Sequence, residues 1–574
     1  MRSAHLAAAF VLVPLLVAAG CGGASKASSA GTGGSSPATT SGSTGGSSSG
    51  TGGAAPGDAG SDAPTTPATA CTVAHQGTSG VVLQGTVLTV AAPLVGEVFV
   101  SAAGTIACVA ASCATTAGYA SATIVSCPGS VISPGLINAH DHTEYATVGP
   151  IPHGTTRWDH RNGWRTGAGG EPALAGLPSS TTNVDIIAAA ELRFVLGGAT
   201  SVIGSGGVHG LLRNLAAYPD ATMVEGLTGP TVYFDTFPLG DSNGTELTSG
   251  CAYPSPIAAS SAFAGGAAFA PHVSEGVNLA AENEFSCISG SLALLTAETA
   301  IIHGVGLNAK DIAAIAKAQA KVIWSPRSNI SLYGNTAQVT VMKNAGVTMA
   351  MGTDWTASGS MNMLRELQCA DALNQGWFGS PFTDQDLWLM ATRNGAVAAK
   401  FDTQVGQLAV GFVADIAVFS GATADYGAVV NAGVEDVRLV MRGGKVLYGD
   451  DAIVGALATS CEAIEICGIA KQVCMDVPGV TLANAQAAAA PIYPLYFCKG
   501  TAPTNEPSCV PYRDTYPSGE TTADPDGDGL TGAADDCVSI FNPVRPMDGT
   551  TQADVDGDGV GDACDPAPLD PTVK

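Results

Sequence analysis

Charge is scarce in this chain: Asp, Glu, Lys and Arg together make up 13% of 574 residues. Helices laced with surface ion pairs are therefore not its style. Positive charge is scarcer still, with 23 Lys and Arg against 49 Asp and Glu. That balance excludes nucleic acid as a partner, because phosphate recognition needs clustered cations. No Cys-x-x-Cys pair occurs, which removes a cysteine-built zinc site. The one long apolar run near the start, Leu6 to Val17, is too short to cross a bilayer as a helix. Apolar residues are plentiful at 46%, so wholesale disorder is excluded. The length allows roughly three or four domains of ordinary size.

Arg2 followed by Leu6 to Val17 reads as a targeting signal, residues 1–20. It closes in Leu16-Val17-Ala18-Ala19-Gly20-Cys21, which resembles the lipobox of bacterial lipoproteins. That resemblance implies lipidation at Cys21 and a membrane anchor; an ordinary secretory signal with a coincidental Cys is the alternative. Residues 21–70 are a Gly/Ser/Thr-rich tether with too little apolar surface to fold. The expected location is outside the cytoplasm, as an outer-membrane or cell-surface lipoprotein or on the periplasmic face. Cysteine usage agrees: of 15, setting aside Cys21 leaves an even number, as a disulfide set requires. Cys369 stands alone in a helix-like stretch and reads as a buried thiol.

Short strand-like runs broken by Gly, such as Val81-Val82-Leu83 and Val98-Phe99-Val100, fill the stretch to about Pro134. Beyond Val184, helical stretches alternate with strands, as in Ile186 to Leu196 followed by Ala199 to Ile203. That alternation marks an α/β fold with a parallel sheet or barrel. Short strands return at Ala414 to Phe419 and Arg438 to Tyr448, so both flanks are expected to build one small β domain.

Candidate chemistry begins at the apolar run Val131 to Ala139, which ends in His140-Asp141-His142. Residues two apart on a strand point the same way, so both imidazoles aim into one site. Neutral imidazole suits zinc or another divalent transition metal. Further along stand His272-Val273-Ser274-Glu275, Ile301-Ile302-His303-Gly304, Ser325-Pro326-Arg327-Ser328-Asn329, and Met351-Gly352-Thr353-Asp354. The stretches Ala391 to Ala396 and Gly406 to Asp415 follow. In this order the motifs resemble the amidohydrolase superfamily, in its metal-dependent deaminase and chlorohydrolase branch.

The resemblance implies a (β/α)8 TIM barrel over 137–395, with a split β-sandwich from 71–136 and 396–450. It implies His140, His142, His272 and Asp354 as ligands of one divalent metal, Zn2+ ahead of Fe2+, that activates a water. Asp354 would take the water's proton, Glu275 would protonate the leaving nitrogen, and His303 would polarise the attacked carbon's substituent. Binuclear members bridge two metals through a carboxylated Lys on the fourth strand, and no Lys occurs between Lys26 and Lys310. One metal is therefore expected, with Glu225 as the only alternative bridge. The implied function is hydrolysis of a carbon–nitrogen bond outside peptides, namely deamination of a small cyclic or amidine-like substrate. Amide cleavage, as in a dipeptidase or imidazolonase, and an inactive surface binding protein are the alternatives.

The stretch Thr156 to Arg165 carries Arg157, Arg161 and Arg165 beside two Trp. These suit an anionic or planar substrate through bidentate and cation–π contacts, or else staple a structural loop. His153 and His160 are further pocket candidates, and His209 is unassigned.

Residues 451–517 form a Cys-containing extension, and 518–574 a separate acidic device. From Glu520 to the end there are thirteen acids against Arg545 and Lys574, so cation binding is a better reading there than general acidity. Asp524, Asp526 and Asp528 recur as Asp554, Asp556 and Asp558, with Asp535 and Asp565 at the twelfth position of each unit. Alternate carboxylates wrapped by Gly turns make an oxygen cage for Ca2+. With Asp562, the pair resembles thrombospondin type 3 repeats, which implies bound calcium and a Cys537–Cys564 disulfide. Gly532 replaces the equivalent of Asp562 in the first unit. Such repeats are usually spacers or stalks. Oligomeric state is not readable from the sequence.

Overall fold

The computed structural model describes residues 70–574. Cys21, the signal and the tether lie outside the described residues. The body is a mixed α/β fold built from one large sheet and two groups of parallel strands. Among the described residues, no helix is long and apolar enough to cross a membrane.

The two flanks are hydrogen-bonded into a single ten-stranded sheet. The reason is the twelve-residue strand Thr123–Pro134. It pairs along both halves, in parallel, with Val81–Val87, and its second half also pairs antiparallel with Ile416–Ser420. One long strand thus sutures the N-terminal and C-terminal flanks. The sheet also recruits Glu462–Ile466 and Ile469–Val473 from the Cys-containing extension. Its apolar side buries Leu83, Val98, Val100, Ile132, Val418 and Leu439.

The parallel strands are short. Strands β1 (Leu136–His142), β2 (Ala199–Ser205) and β3 (Arg213–Asn214) form one group. Strands β4 (Tyr233–Asp235), β5 (Phe269–Val273), β6 (Ala300–His303), β7 (Lys321–Trp324) and β8 (Thr348–Met351) form the other. The groups meet at both ends. Asp354 N donates to His140 O at 3.0 Å and His142 N to Asp354 O at 2.9 Å, while Val232 N donates to Leu215 O at 2.9 Å.

Apart from β3, these strands carry apolar residues on both faces, as parallel strands covered on both sides must. Ile137, Ala139, Ala270, Ile302, Ile323 and Ala350 pack together on one side. Leu136, Phe269, Ile301, Val322, Trp324 and Met349 pack against the surrounding helices on the other. Those helices include Val184–Leu196, Leu279–Ser289, Ala309–Ala318 and Met363–Gly376. A buried pair, Arg213 on β3 with Asp415 just before Ile416–Ser420, ties the parallel strands to the large sheet.

Among the described residues all fourteen cysteines are paired, in seven disulfides. Cys537 is joined to Cys564. Cys369 is not an isolated thiol: it is bonded to Cys509, because the extension runs back along helix Met363–Gly376. Nor does the acidic terminus stand apart as a stalk. Phe541 N donates to Trp377 O at 2.8 Å, Arg545 Nη1 to Leu307 O at 2.8 Å, and Met547 N to Val277 O at 3.1 Å.

Candidate metal centre

Strand β1 brings His140 and His142 to the end of the sheet where the two strand groups meet. Close approach of β8 is possible there only because residue 352 is Gly; an added Cβ would lie 2.5 Å from that of His140. Strand β5 contributes His272, and Asp354 follows β8. The Nε2 atoms of the three histidines converge: 140 to 142 at 3.3 Å, 140 to 272 at 3.0 Å, and 142 to 272 at 3.2 Å. Asp354 Oδ1 lies 3.5 Å from His140 Nε2 and 3.8 Å from His142 Nε2.

That spacing can be checked against chemistry. Four ligands about 2.1 Å from a tetrahedral zinc sit about 3.4 Å from one another. The three imidazole separations, and those of Asp354 from His140 and His142, lie within a few tenths of that value. Each ring is also held by its far nitrogen. His140 Nδ1 meets Ser325 Oγ at 3.2 Å, and His142 Nδ1 meets Ser205 Oγ at 3.2 Å. His272 Nδ1 donates to Asp235 O at 3.1 Å. The carbonyl fixes the proton of His272 on Nδ1, so its Nε2 presents a lone pair to the centre, and the Ser hydroxyls can accept from His140 and His142 in the same tautomer. Burial and the neighbouring rings depress all these histidines, His142 to about 3, so they stand as neutral imidazoles. Three neutral imidazole nitrogens converging at 3.0 to 3.3 Å fit a cation.

Asp354 and His303 both adopt the left-handed backbone region, at φ 69° and 72°. Such conformations are uncommon outside Gly and cluster at functional sites. Ser328 Oγ donates to Asp354 Oδ2 at 2.6 Å, leaving Oδ1 to face the histidines. Burial, then the nearby Glu275, pushes Asp354 well above the usual carboxylate range. A cation at the centre would reverse that.

His303 has the opposite tautomeric arrangement. Asn329 Nδ2 donates to its Nδ1 at 3.1 Å, so the ring proton sits on Nε2, 3.6 Å from Glu275 Oε2. That makes His303 a hydrogen-bond donor toward the cavity. Burial raises Glu275, opposed by Arg161, and Tyr333 donates to its Oε1 at 2.7 Å. A buried carboxyl shifted upward is suited to holding and delivering a proton.

His142, His272, Glu275, His303 and Asp354 line a cavity of about 300 Å³ together with Tyr145, Trp164, Phe237 and Trp355. The Trp164 and Trp355 ring centroids are 5.7 Å apart.

The three arginines separate. Arg165 lines the cavity, 4.3 Å from the centroid of Phe237. Arg161 reaches it too, but its guanidinium is committed to Asp241 at 2.7 Å and Glu284 at 3.0 Å and donates to His272 O at 3.2 Å. Arg157 does not line the cavity. It lies over Tyr512 and donates to the carbonyls of Gly154 and Thr156, so the substrate contact expected of it is corrected to a loop contact. Glu225 is not at the centre either; it pairs with Arg442 and caps Gly210 N. His153 bonds Ser331 and Thr156 O, and His209 pairs with Asp220. His160 is buried between Glu246 and Glu284, away from the cavity lining.

Ser205, Ser325, Ser328, Asn329 and Tyr333 were given no role in the sequence reading. Ser325, Ser328 and Asn329 lie inside the motif Ser325-Pro326-Arg327-Ser328-Asn329, whereas nothing in the sequence around Tyr333 marks it.

Residues 282–447 match the amidohydrolase family. A 5-methylthioadenosine/S-adenosylhomocysteine deaminase from Teredinibacter turnerae is 36% identical over 128 residues, 22% of this chain and 29% of that protein. The protein of the same name from Pyrococcus abyssi is 33% identical over 165 residues, 28% of this chain and 37% of that one. The chain thus spans well under half the length of these curated relatives. Among solved structures, a zinc-bound adenosine deaminase from Xanthomonas campestris aligns with TM-score 0.43 at 17% identity, covering 65% of this chain and 93% of that one. A guanine deaminase from Bradyrhizobium japonicum aligns with TM-score 0.42 at 16% identity, covering 65% and 100%.

One electrostatic feature outside the centre is directly testable. Burial lowers the pKa of His160, but hydrogen bonds to Glu246 and Glu284 outweigh it and lift the group to about 9. The folded value lies above the unfolded value of about 6.5, so its stabilisation is complete below about pH 6.5 and is lost as pH rises through about 9. Chemical denaturation should show the unaltered chain losing about 3 kcal/mol more between pH 6 and 10 than His160→Asn. Parallel pH profiles would contradict the assignment.

The family match includes His303 and Asp354 but not His140, His142, His272 or Glu275.

Proposed function

We propose that the protein is a metal-dependent hydrolase of a carbon–nitrogen bond outside peptides, acting as a deaminase on a small planar compound. The observation that carries this reading is the convergence of three imidazole Nε2 atoms and Asp354 Oδ1 on one point at the wall of the cavity. We read the two parallel groups as a closed (β/α)8 barrel, with its site at the strand ends where such barrels carry their chemistry.

His140, His142, His272 and Asp354 would hold one divalent ion, Zn2+ ahead of Fe2+. When bound, such an ion supplies Lewis acidity that lets water lose a proton near neutral pH. Asp354 would take up a proton from water, with its Oδ2 fixed by Ser328. His303 Nε2–H donates to the charge that develops on the attacked group. Glu275 Oε2 delivers a proton to the departing nitrogen, held in line by Tyr333. Trp164 and Trp355 supply faces on which a planar ring stacks. A cavity of about 300 Å³ limits the substrate to a small molecule.

The terminus supports a second role, calcium binding by residues 518–574. Asp526, Asp562 and Asp565 are 1% exposed, yet each keeps one carboxylate oxygen without a partner. Burial and the neighbouring Asp528 and Asp535 push Asp526 up to about 7. Carboxylates so crowded destabilise the fold as pH rises from about 4, unless a cation joins them. The paired cysteines support an oxidising location outside the cytoplasm. Lipidation at Cys21 rests on the sequence.

Screening amino-bearing heterocycles for ammonia release should identify a substrate, since amide cleavage instead leaves a carboxylate and an amine. Glu275→Gln should then lower kcat roughly 10²- to 10⁴-fold with the metal still bound. An unchanged kcat would remove Glu275 from the reaction. Calcium at 100 times its Kd should stabilise the chain by about 2.7 kcal/mol in thermal unfolding, and Asp526→Asn with Asp556→Asn should abolish the gain. No calcium-dependent shift would discard the second role.

A further inference from the structure

Helix Pro326–Tyr333 is buried along its whole length, and three of its side chains each hold one group of the metal centre. Ser328 holds Asp354, Asn329 holds His303, and Tyr333 holds Glu275. Movement of this helix therefore acts on a metal ligand, a hydrogen-bond donor and a proton carrier together.

The helix is gripped at both ends by one piece of the C-terminal extension, residues 506–516. At its first turn, Arg327 Nη1 donates to Pro507 O at 2.6 Å and lies 3.4 Å from Glu506 Oε2. At its last turn, Arg513 Nη1 donates to Tyr333 O at 2.9 Å and to Trp158 O at 3.3 Å, and its other nitrogen pairs with Asp159. Tyr512 N and Tyr516 Oη both donate to Gly334 O, at 3.3 and 3.2 Å. Position 334 has φ 68°, and a Cβ there would lie 2.1 Å from Tyr512 O, so the grip requires Gly. Between the two grips, Cys509 is bonded to Cys369 on helix Met363–Gly376.

We propose that segment 506–516 is a clamp that sets the metal centre, with Glu506 and Arg513 as positioning residues acting through helix Pro326–Tyr333. The extension is then part of the reaction centre rather than a cover. For its chemistry the proposal rests on the metal-hydrolase reading; for its mechanics it does not.

The test uses the full chain as Glu506→Gln with Arg513→Met, beside Arg513→Lys in case the double variant folds poorly, and Lys499→Met as a control in the same extension. Two quantities are read: hydrogen exchange of the amides of 327–334, and the Kd for zinc by competition with a chromophoric chelator. The double variant should exchange faster in 327–334 and bind zinc about tenfold more weakly, the lower end of the loss when outer partners of metal ligands are removed. Arg513→Lys, which keeps the charge but not the planar fork, should fall between, and the control should match the unaltered chain. Faster exchange with unchanged zinc Kd would overturn the proposal by reducing the extension to a structural cover. Unchanged exchange would overturn the grip itself. If the unaltered chain bound no zinc, the metal reading would fail and take the clamp's effect on the ligands with it, while exchange at 327–334 would still decide the grip.

Discussion

Three imidazole nitrogens and a carboxylate oxygen face one point, and much of the local structure follows from keeping them there. Without a cation the arrangement is unfavourable, because each group has lost water. The surroundings hold it nonetheless. Two Ser hydroxyls and one main-chain carbonyl fix the far side of each ring. Gly352 lets β8 approach His140, and the left-handed backbone at His303 and Asp354 turns both side chains inward. An assembly so over-determined is what a pre-formed ion site requires.

Charge balance is the second constraint. The chain has few cations, and several are spent inside. Arg161 is buried beside Asp241, Glu284 and Glu275. Burial disfavours its charge, but those carboxylates outweigh burial and hold it protonated. It supports the backbone of His272 while lining the cavity, so scaffold and site share one ion network. Breaking such a buried network by removing one partner is costly, which makes Arg161 poor material for a mobile substrate contact.

The grouping of the proposed ligands was marked in the sequence because metal chemistry constrains residue type and strands constrain spacing. His140 and His142 are two apart on a strand, and His272 and Asp354 close their own strands' motifs. Long-range packing was not legible. Nothing local distinguishes Arg157, which faces Tyr512, from Arg165, which faces the cavity. Cys369 looked solitary because its partner is 140 residues away. The acidic terminus read as a separate device, since contacts such as Arg545 on Leu307 O depend on how a loop returns. Tyr333 belongs to the same class: its role comes from where the helix ends, and its sequence neighbours give no sign of it. The single ten-stranded sheet was hidden for a related reason, because strand Thr123–Pro134 serves both flanks at once.

The central claim is that one transition-metal ion sits among His140, His142, His272 and Asp354. Elemental analysis of the purified full chain, beside a His140→Ala, His142→Ala variant, tests it most directly. The account predicts about one zinc or iron per chain, lost in the variant, with calcium counted separately. Two transition metals per chain would contradict the single-ion centre. None, even after reconstitution with zinc or iron, would contradict the metal-hydrolase reading as a whole.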